Sequence, residues 1–152
     1  MSTVQPFLIL HVEDDPAHAV IVRRNLAGTQ GGTRLNLVKD GRAALDYLFR
    51  QGVFCDPESS PRPDLIVMDL RLPKVDGLEV LRQVKQDAGL RPIPVVVLTT
   101  SGAERDIRDA YAMGVTSYLV KPTSLQEFTQ MMDAFRRYWL ELNHLPSRPS
   151  PL

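Results

Sequence analysis

The stretch Asp64-Leu65-Ile66-Val67-Met68-Asp69-Leu70-Arg71-Leu72-Pro73 decides the fold. Four apolar residues, Leu65 to Met68, run without a break into a carboxylate, and a proline follows four residues later. A strand covered on both faces reads this way, because a parallel sheet leaves neither side to water. Its last side chain then emerges at the carboxyl edge of the sheet, where open α/β proteins bind their ligands. A second stretch repeats the pattern: Leu8-Ile9-Leu10-His11-Val12 runs into Glu13-Asp14-Asp15. Two apolar strands that both end in acid fix the place to look for chemistry.

Outward from these, apolar runs suited to buried strands occur at Phe7–Val12, Leu35–Val38, Leu65–Met68, Val95–Leu98 and Ser117–Val120. Helical stretches lie between them. Asp15-Pro16 is a helix start with Asp15 as N-cap, running to about Ala27 where Gly28 stops it. Gly41 to Arg50 follows, with Ala44, Leu45 and Leu48 on one face. Gly77 to Asp87 buries Leu78, Leu81 and Val84, and Glu104 to Met113 sets Ile107 and Tyr111 four apart, with Gly114 as terminator. Ser124-Leu125-Gln126-Glu127 is a capping box opening a fifth helix. Its apolar positions Leu125, Phe128, Met132, Phe135 and Trp139 recur every three or four residues.

Strict alternation of strand and helix predicts an α/β fold: a doubly wound (βα)5 unit around a five-stranded parallel sheet. The flavodoxin-like strand order 2-1-3-4-5 is the commonest arrangement, with right-handed crossovers. It places strands one and three side by side, and so brings Asp14 against Asp69, 55 positions away in the chain. Residues 51–63 carry Pro57, Pro61 and Pro63 and form a long irregular connection. The expected organisation is one domain over residues 1–145 and a disordered proline-rich tail over 146–152.

The chain of 152 residues is large enough for a core without staples. Its formal net charge is zero, and no Lys/Arg block breaks that balance, which argues against general nucleic-acid binding. Cys55 is the only cysteine, so no internal disulfide forms and a reducing compartment fits. No basic flank precedes the first apolar run, and no run reaches membrane-spanning length. The expectation is a cytoplasmic protein with no membrane partner.

The strand ends carry the chemistry. Glu13, Asp14 and Asp69 converge in this topology, and their mutual repulsion calls for a hard divalent cation. Mg²⁺ takes oxygen ligands and keeps several waters, leaving room for phosphate oxygens. Val95–Leu98 runs into Thr99, a hydroxyl at the same edge. Tyr118-Leu119-Val120 runs into Lys121-Pro122, an ammonium at that edge. A carboxylate nucleophile, a cation, a lysine and a hydroxyl form a phosphoryl-transfer set: Asp69 can take the phosphoryl group while Lys121 and Thr99 hold its oxygens.

The order Glu13-Asp14, Asp69 with Pro73 and Gly77 beyond it, Thr99, then Lys121-Pro122 resembles the receiver domain of two-component response regulators. The resemblance spans Phe7 to Leu142. It implies that Asp69 accepts a phosphoryl group from a sensor histidine kinase. It implies that Asp14 and Asp69 ligate Mg²⁺ directly, with Glu13 acting through water and the Arg71 backbone carbonyl as a further ligand. Thr99 and Lys121 then contact the phosphoryl group, and Tyr118 stands where the family has a switch aromatic. The Lys121–Pro122 bond is expected to be cis. With no output domain after the fifth helix, the chain looks like a stand-alone receiver. Its 51–63 insertion and long aromatic last helix look like regulators paired with phytochrome-type kinases. Phosphorylation would switch the surface of helix four, strand five and helix five. Arg71 stands where asparagine or methionine is frequent, so its guanidinium reaches either the phosphoryl group or a rim carboxylate.

Other residues read plainly. Asp15 is an N-cap rather than a metal ligand. His11 is a satisfied core or surface histidine, His18 a surface residue near the acidic rim, and Cys55 an ordinary thiol. The last helix is apolar around much of its circumference, which predicts a homodimer through it and the neighbouring helix-four/strand-five surface, or a kinase-docking face. The rival reading is a small magnesium-dependent phosphatase with an aspartyl nucleophile. Such enzymes use a second acid two residues after the nucleophile, and here that residue is Arg71. A nucleotide-binding protein lacks support, because neither phosphate-cradling glycine motif is present.

Overall fold

The computed structural model describes residues 6–27 and 32–146. Gly28, expected to stop the first helix, and residues 147–152 of the expected tail lie outside the described residues. Five parallel strands form one sheet in the order β2-β1-β3-β4-β5. They are β1 (Leu8–Val12), β2 (Arg34–Val38), β3 (Leu65–Met68), β4 (Val95–Thr99) and β5 (Ser117–Val120). The helices are α1 (Pro16–Leu26), α2 (Gly41–Phe49), α3 (Gly77–Gln86), α4 (Glu104–Ala112) and α5 (Leu125–Arg136). The flavodoxin-like order expected from the sequence is the order found.

The central strands β1, β3 and β4 are buried along their whole length because the sheet lies between two helical layers, whereas the edge strands β2 and β5 are only partly covered. Leu10, Val12, Ile66, Met68, Val95 and Val97 face one core with α2 and α3. Ile9, Val67, Val96 and Leu98 face the other, with Val22 and Leu26 of α1 and Phe128, Met132 and Phe135 of α5. Burying one such aliphatic or aromatic side chain stabilises the fold by about 2 kcal/mol. This sum, rather than helix propensity, holds the helices in place.

Local signals set the helix starts. The Asp15 carboxylate accepts hydrogen bonds from the backbone of Ala17 and His18, as expected of an N-cap, and these bonds hold its carboxyl below the ordinary aspartate range. Ser124 accepts from the Glu127 amide and opens α5. After α5 the chain continues as a π-helical segment, Arg137–Leu142, which buries Trp139 against the α1/α5 core.

Three expected core positions are not buried. Leu125 is exposed, because it sits in the capping turn, ahead of the part of α5 that meets the sheet. Tyr111 is exposed as well, since α4 turns Asp106 and Ala110 inward instead. Leu78 is only partly buried, and Val80 joins Leu81 and Val84 on the inner face of α3. The 51–63 connection contains a 3-10 turn, Gly52–Phe54, and is tied down. Tyr47 donates to the Pro61 carbonyl at 2.7 Å, and the buried Ser60 donates to the Phe54 carbonyl at 2.9 Å.

Candidate functional site

The register of the three central strands builds the site. Val12 lies opposite Met68, so β1 and β3 finish level, while β4, with Val97 opposite Met68, runs two residues further to Thr99. One residue further on, the Glu13 amide donates to the Val38 carbonyl and the Asp69 amide to the Val12 carbonyl. The two acidic strand ends are therefore pinned as neighbours. Carboxylate oxygens of Glu13, Asp14 and Asp69 all lie within 4.8 Å of one another, with Glu13 and Asp69 buried and Asp14 exposed.

Lys121 enters this cluster from the end of β5, where its amide donates to the Thr99 carbonyl at 2.7 Å. Its ammonium lies 2.5 Å from Glu13 Oε1 and 2.8 Å from Asp69 Oδ2, with its side chain and that of Glu13 each only 1% exposed. Burial pushes the Glu13 carboxyl above the ordinary glutamate range, and the Lys121 ammonium opposes that push. The second oxygen of Asp69, Oδ1, accepts from the Arg71 amide at 3.2 Å. Thr99 is fully buried at the end of β4, and its hydroxyl oxygen accepts from the Ser101 amide. All five strand-end residues expected at this edge are gathered there.

Gly77 explains how the loop after Asp69 folds back. Its amide donates to the Leu70 carbonyl at 2.9 Å, and a Cβ at this position would come within 2.5 Å of the Asp69 carbonyl oxygen. Only glycine lets the first turn of α3 approach the acidic loop so closely.

The cluster fits a divalent cation. Three carboxylates offer hard oxygen donors, and a single ammonium offsets one of their three charges. No other group of three acidic, histidine or cysteine side chains among the described residues comes together in this way.

Several features run beyond or against the sequence reading. His18 is not a plain surface residue: its Nδ1 lies 2.9 Å from Lys121 Nζ, and its ring packs on Phe128. His11 is buried at 1% exposure, yet its Nδ1 has no hydrogen-bond partner, so it is not a satisfied core histidine. Burial, with the Lys121 charge adding to it, lowers its pKa from 6.5 to about 3. The Lys121–Pro122 bond is not cis, nor is any other peptide bond among the described residues. Arg71 reaches a rim carboxylate that sequence reasoning did not single out. Its guanidinium donates to Asp106 Oδ2 at 2.6 Å, on the first turn of α4. Ser101 donates to the same oxygen, and the Tyr118 hydroxyl donates to the Ser101 carbonyl at 2.8 Å. A helix-start aspartate looks like dipole compensation in sequence, and only its 8% exposure betrays another role.

Residues 9–133 match the family model for the response regulator receiver domain. The chain belongs to that family. It is 42% identical to the response regulator Rcp1 of Synechocystis sp., over 93% of this chain and 95% of that protein. The crystal structure of the Mn²⁺-bound form of Rcp1 superposes with a TM-score of 0.88, covering 93% of this chain and all of that one. The phosphorylated cyanobacterial phytochrome response regulator RcpA also superposes with a TM-score of 0.88, at 38% identity over 94% of this chain and 100% of that one. A probable methanogenesis regulatory protein, FilR2 of Methanothrix harundinacea, is 46% identical over 96% of this chain and 92% of its own length. The chain is thus a receiver in two-component signalling. No helix of the described residues is long and apolar enough to cross a membrane.

Proposed function

We propose that Asp69 is the phosphoacceptor of this receiver, with Mg²⁺ as its cation and a phytochrome-type sensor histidine kinase as its donor. The observation that carries this reading is the convergence of Glu13, Asp14, Asp69 and Lys121 at one buried sheet edge. Asp14 and Asp69 would hold the ion directly, with the Arg71 backbone carbonyl beside them and Glu13 through water. Bound there, the cation supplies charge neutralisation for the transferring oxygens. In the transfer, the N–P bond of the kinase phosphohistidine breaks as an Asp69 carboxylate oxygen forms the new O–P bond. The electron pair stays on the imidazole nitrogen, which takes up a proton. Lys121 exchanges its contact with Asp69 for one with a phosphoryl oxygen, and Thr99 donates its hydroxyl to another.

Thr99 moving toward the phosphoryl group pulls the β4–α4 loop, to which Tyr118 is tied through Ser101. Those two residues are the switch, and the surface of α4, β5 and α5 is what it changes. The protein works in the cytoplasm, as a phosphoacceptor with at most a slow self-dephosphorylation. The phosphatase alternative finds no second acid, because the position two residues past Asp69 holds Arg71. Tyr138 and Leu142 are exposed near the apolar groove that Leu119, Met131, Phe135 and Trp139 line between β5 and the last helix. This supports a homodimer through that face, which sedimentation with and without beryllofluoride tests: a monomer at high micromolar concentration in both states refutes it.

Incubation with acetyl phosphate and Mg²⁺ tests the acceptor. The expected product is a single acid-stable, base-labile acyl phosphate, absent from Asp69→Asn and lost on chelation. Labelling that survives Asp69→Asn, or rapid turnover of phosphomonoesters, refutes the reading.

A further inference from the structure

A side chain of the loop that follows Asp69 reaches across to α4. Arg71 lies two residues past Asp69, and its guanidinium donates to Asp106 Oδ2 at 2.6 Å. The pair is lopsided: the Arg71 side chain is 63% exposed and that of Asp106 only 11%. Asp106 therefore gives up most of its hydration and needs partners, which are Arg71 and the Ser101 hydroxyl. Arg71 has water as an alternative; Asp106 does not. Ser101 in turn carries Tyr118 on its carbonyl. One chain of contacts thus runs from the residue beside the acidic site, through the first turn of α4 and the β4–α4 loop, to β5.

We propose that Asp106 is a positioning residue that holds the Arg71 guanidinium on α4, away from Asp69, and that a phosphoryl group on Asp69 competes for that guanidinium. This inference rests on Asp69 being the phosphoacceptor. The competition works because an arginine fork binds carboxylate and phosphate equally well, and the phosphoryl group carries the larger charge. When Arg71 turns to the phosphoryl group, Asp106 is left desolvated with the Ser101 hydroxyl as its remaining partner. The first turn of α4 must then shift to rehydrate it. Affinity for the phosphoryl group and displacement of α4 become two readings of one exchange. The device belongs to this chain's own residues, an arginine two places after the acceptor and an inward-facing aspartate on α4.

The test is a double-mutant cycle on the full chain, read by beryllofluoride binding in the presence of Mg²⁺. In Asp106→Asn the guanidinium is no longer held, and beryllofluoride should bind about fivefold tighter, the gain being limited by the exposure of Arg71. In Arg71→Ala the gain from adding Asp106→Asn should vanish. Asp106→Glu should keep wild-type affinity. An Asp106→Asn gain of the same size in the Arg71→Ala background means that only a negative charge was removed, and overturns the proposal. A second measurement needs no substitution at Asp106. The Arg71 side-chain N–H resonance of the wild-type protein should move on adding beryllofluoride with Mg²⁺, and should stay in place in Asp69→Asn. A resonance that stays in place in the wild-type protein while beryllofluoride binds also overturns it. If the wild-type protein neither binds beryllofluoride nor takes a phosphoryl group from acetyl phosphate, the acceptor reading fails first and takes this inference with it.

Discussion

His11 makes the stability of this protein acid-sensitive in a way a single substitution should remove. Its ring is buried beneath the site, and burial together with the Lys121 ammonium lowers its pKa from 6.5 to about 3, the Asp69 carboxylate opposing the shift. In the unfolded chain the imidazole takes up a proton near its ordinary pKa of about 6.5, whereas the folded protein holds it neutral. Stability from this group is therefore fully present above about pH 6.5 and lost as the pH falls from there toward the folded value. Each pH unit in that window removes up to about 1.4 kcal/mol, so the loss between about pH 7 and pH 5 amounts to about 2 kcal/mol. Glu13 works in the opposite sense, because its raised pKa lets the folded state gain a proton more readily than the unfolded one. The two are separated by His11→Leu, which leaves Glu13 in place. Near pH 7 the substitution should be close to neutral or stabilising, since it removes a ring nitrogen that has no partner. Urea unfolding at a series of pH values gives the comparison. The wild-type free energy should fall below that of the variant by about 2 kcal/mol more near pH 5 than near pH 7. Parallel curves for the two proteins across that window would show that His11 is not held neutral, and the argument would fail.

Two further perturbations follow from the same geometry. Lys121→Met strips from Glu13 and Asp69, both buried, the only cation that pairs with them among the described residues, and should destabilise the fold by about 3 kcal/mol in chelator, with part of the loss recovered in millimolar Mg²⁺; calorimetric melting with and without the ion checks this, and an equal loss in both conditions contradicts it. Gly77→Ala sets a Cβ within 2.5 Å of the Asp69 carbonyl oxygen, so α3 and the acidic loop must move apart, with an expected loss of about 2 kcal/mol and slower labelling by acetyl phosphate, whereas unchanged melting and labelling would show the approach to be slack.

What the sequence made legible was whatever short-range pattern dictates. The runs into Asp69, Glu13 and Thr99 could be read because a doubly covered strand is almost wholly apolar and the acid or hydroxyl that follows marks the sheet edge, and the run into Lys121 because Lys-Pro closes a short apolar stretch even on the partly covered edge strand β5. Glu13 and Asp69 could be brought together because so few topologies suit five alternating units. The misreadings fall where tertiary contact overrides pattern. Ile107 and Tyr111 marked a plausible inner face of α4, but that helix buries a carboxylate, Asp106, which no hydrophobic pattern would select. Leu125 keeps the apolar period of α5 yet precedes the turn at which the helix meets the sheet. The contacts of His18 with Lys121 and of Arg71 with Asp106 join residues 103 and 35 positions apart through the reach of long side chains. Their partners are set by rotamers and by the spacing between layers, neither of which is written in local sequence.

The charges at the sheet edge give the reason why a local modification need not stay local. Formally, Glu13, Asp14 and Asp69 bring three negative charges and Lys121 one positive, leaving two negative charges in a cluster that is mostly buried. A divalent cation balances them. Replacing the Asp69 carboxylate by an acyl phosphate exchanges one negative charge for about two, and the balance is lost again. Lys121 is already counted in that balance, so its turning to a phosphoryl oxygen adds no charge, and the low-dielectric setting makes an unbalanced charge costly. The guanidinium of Arg71 lies two residues along the same loop, largely in water and therefore cheap to move, but its other contact is the desolvated Asp106 on α4. Any positive charge drawn from that source takes α4's partner with it. Had the loop carried an uncharged residue at position 71, the demand would have been met by water, and α4 would have felt only the motion of Thr99.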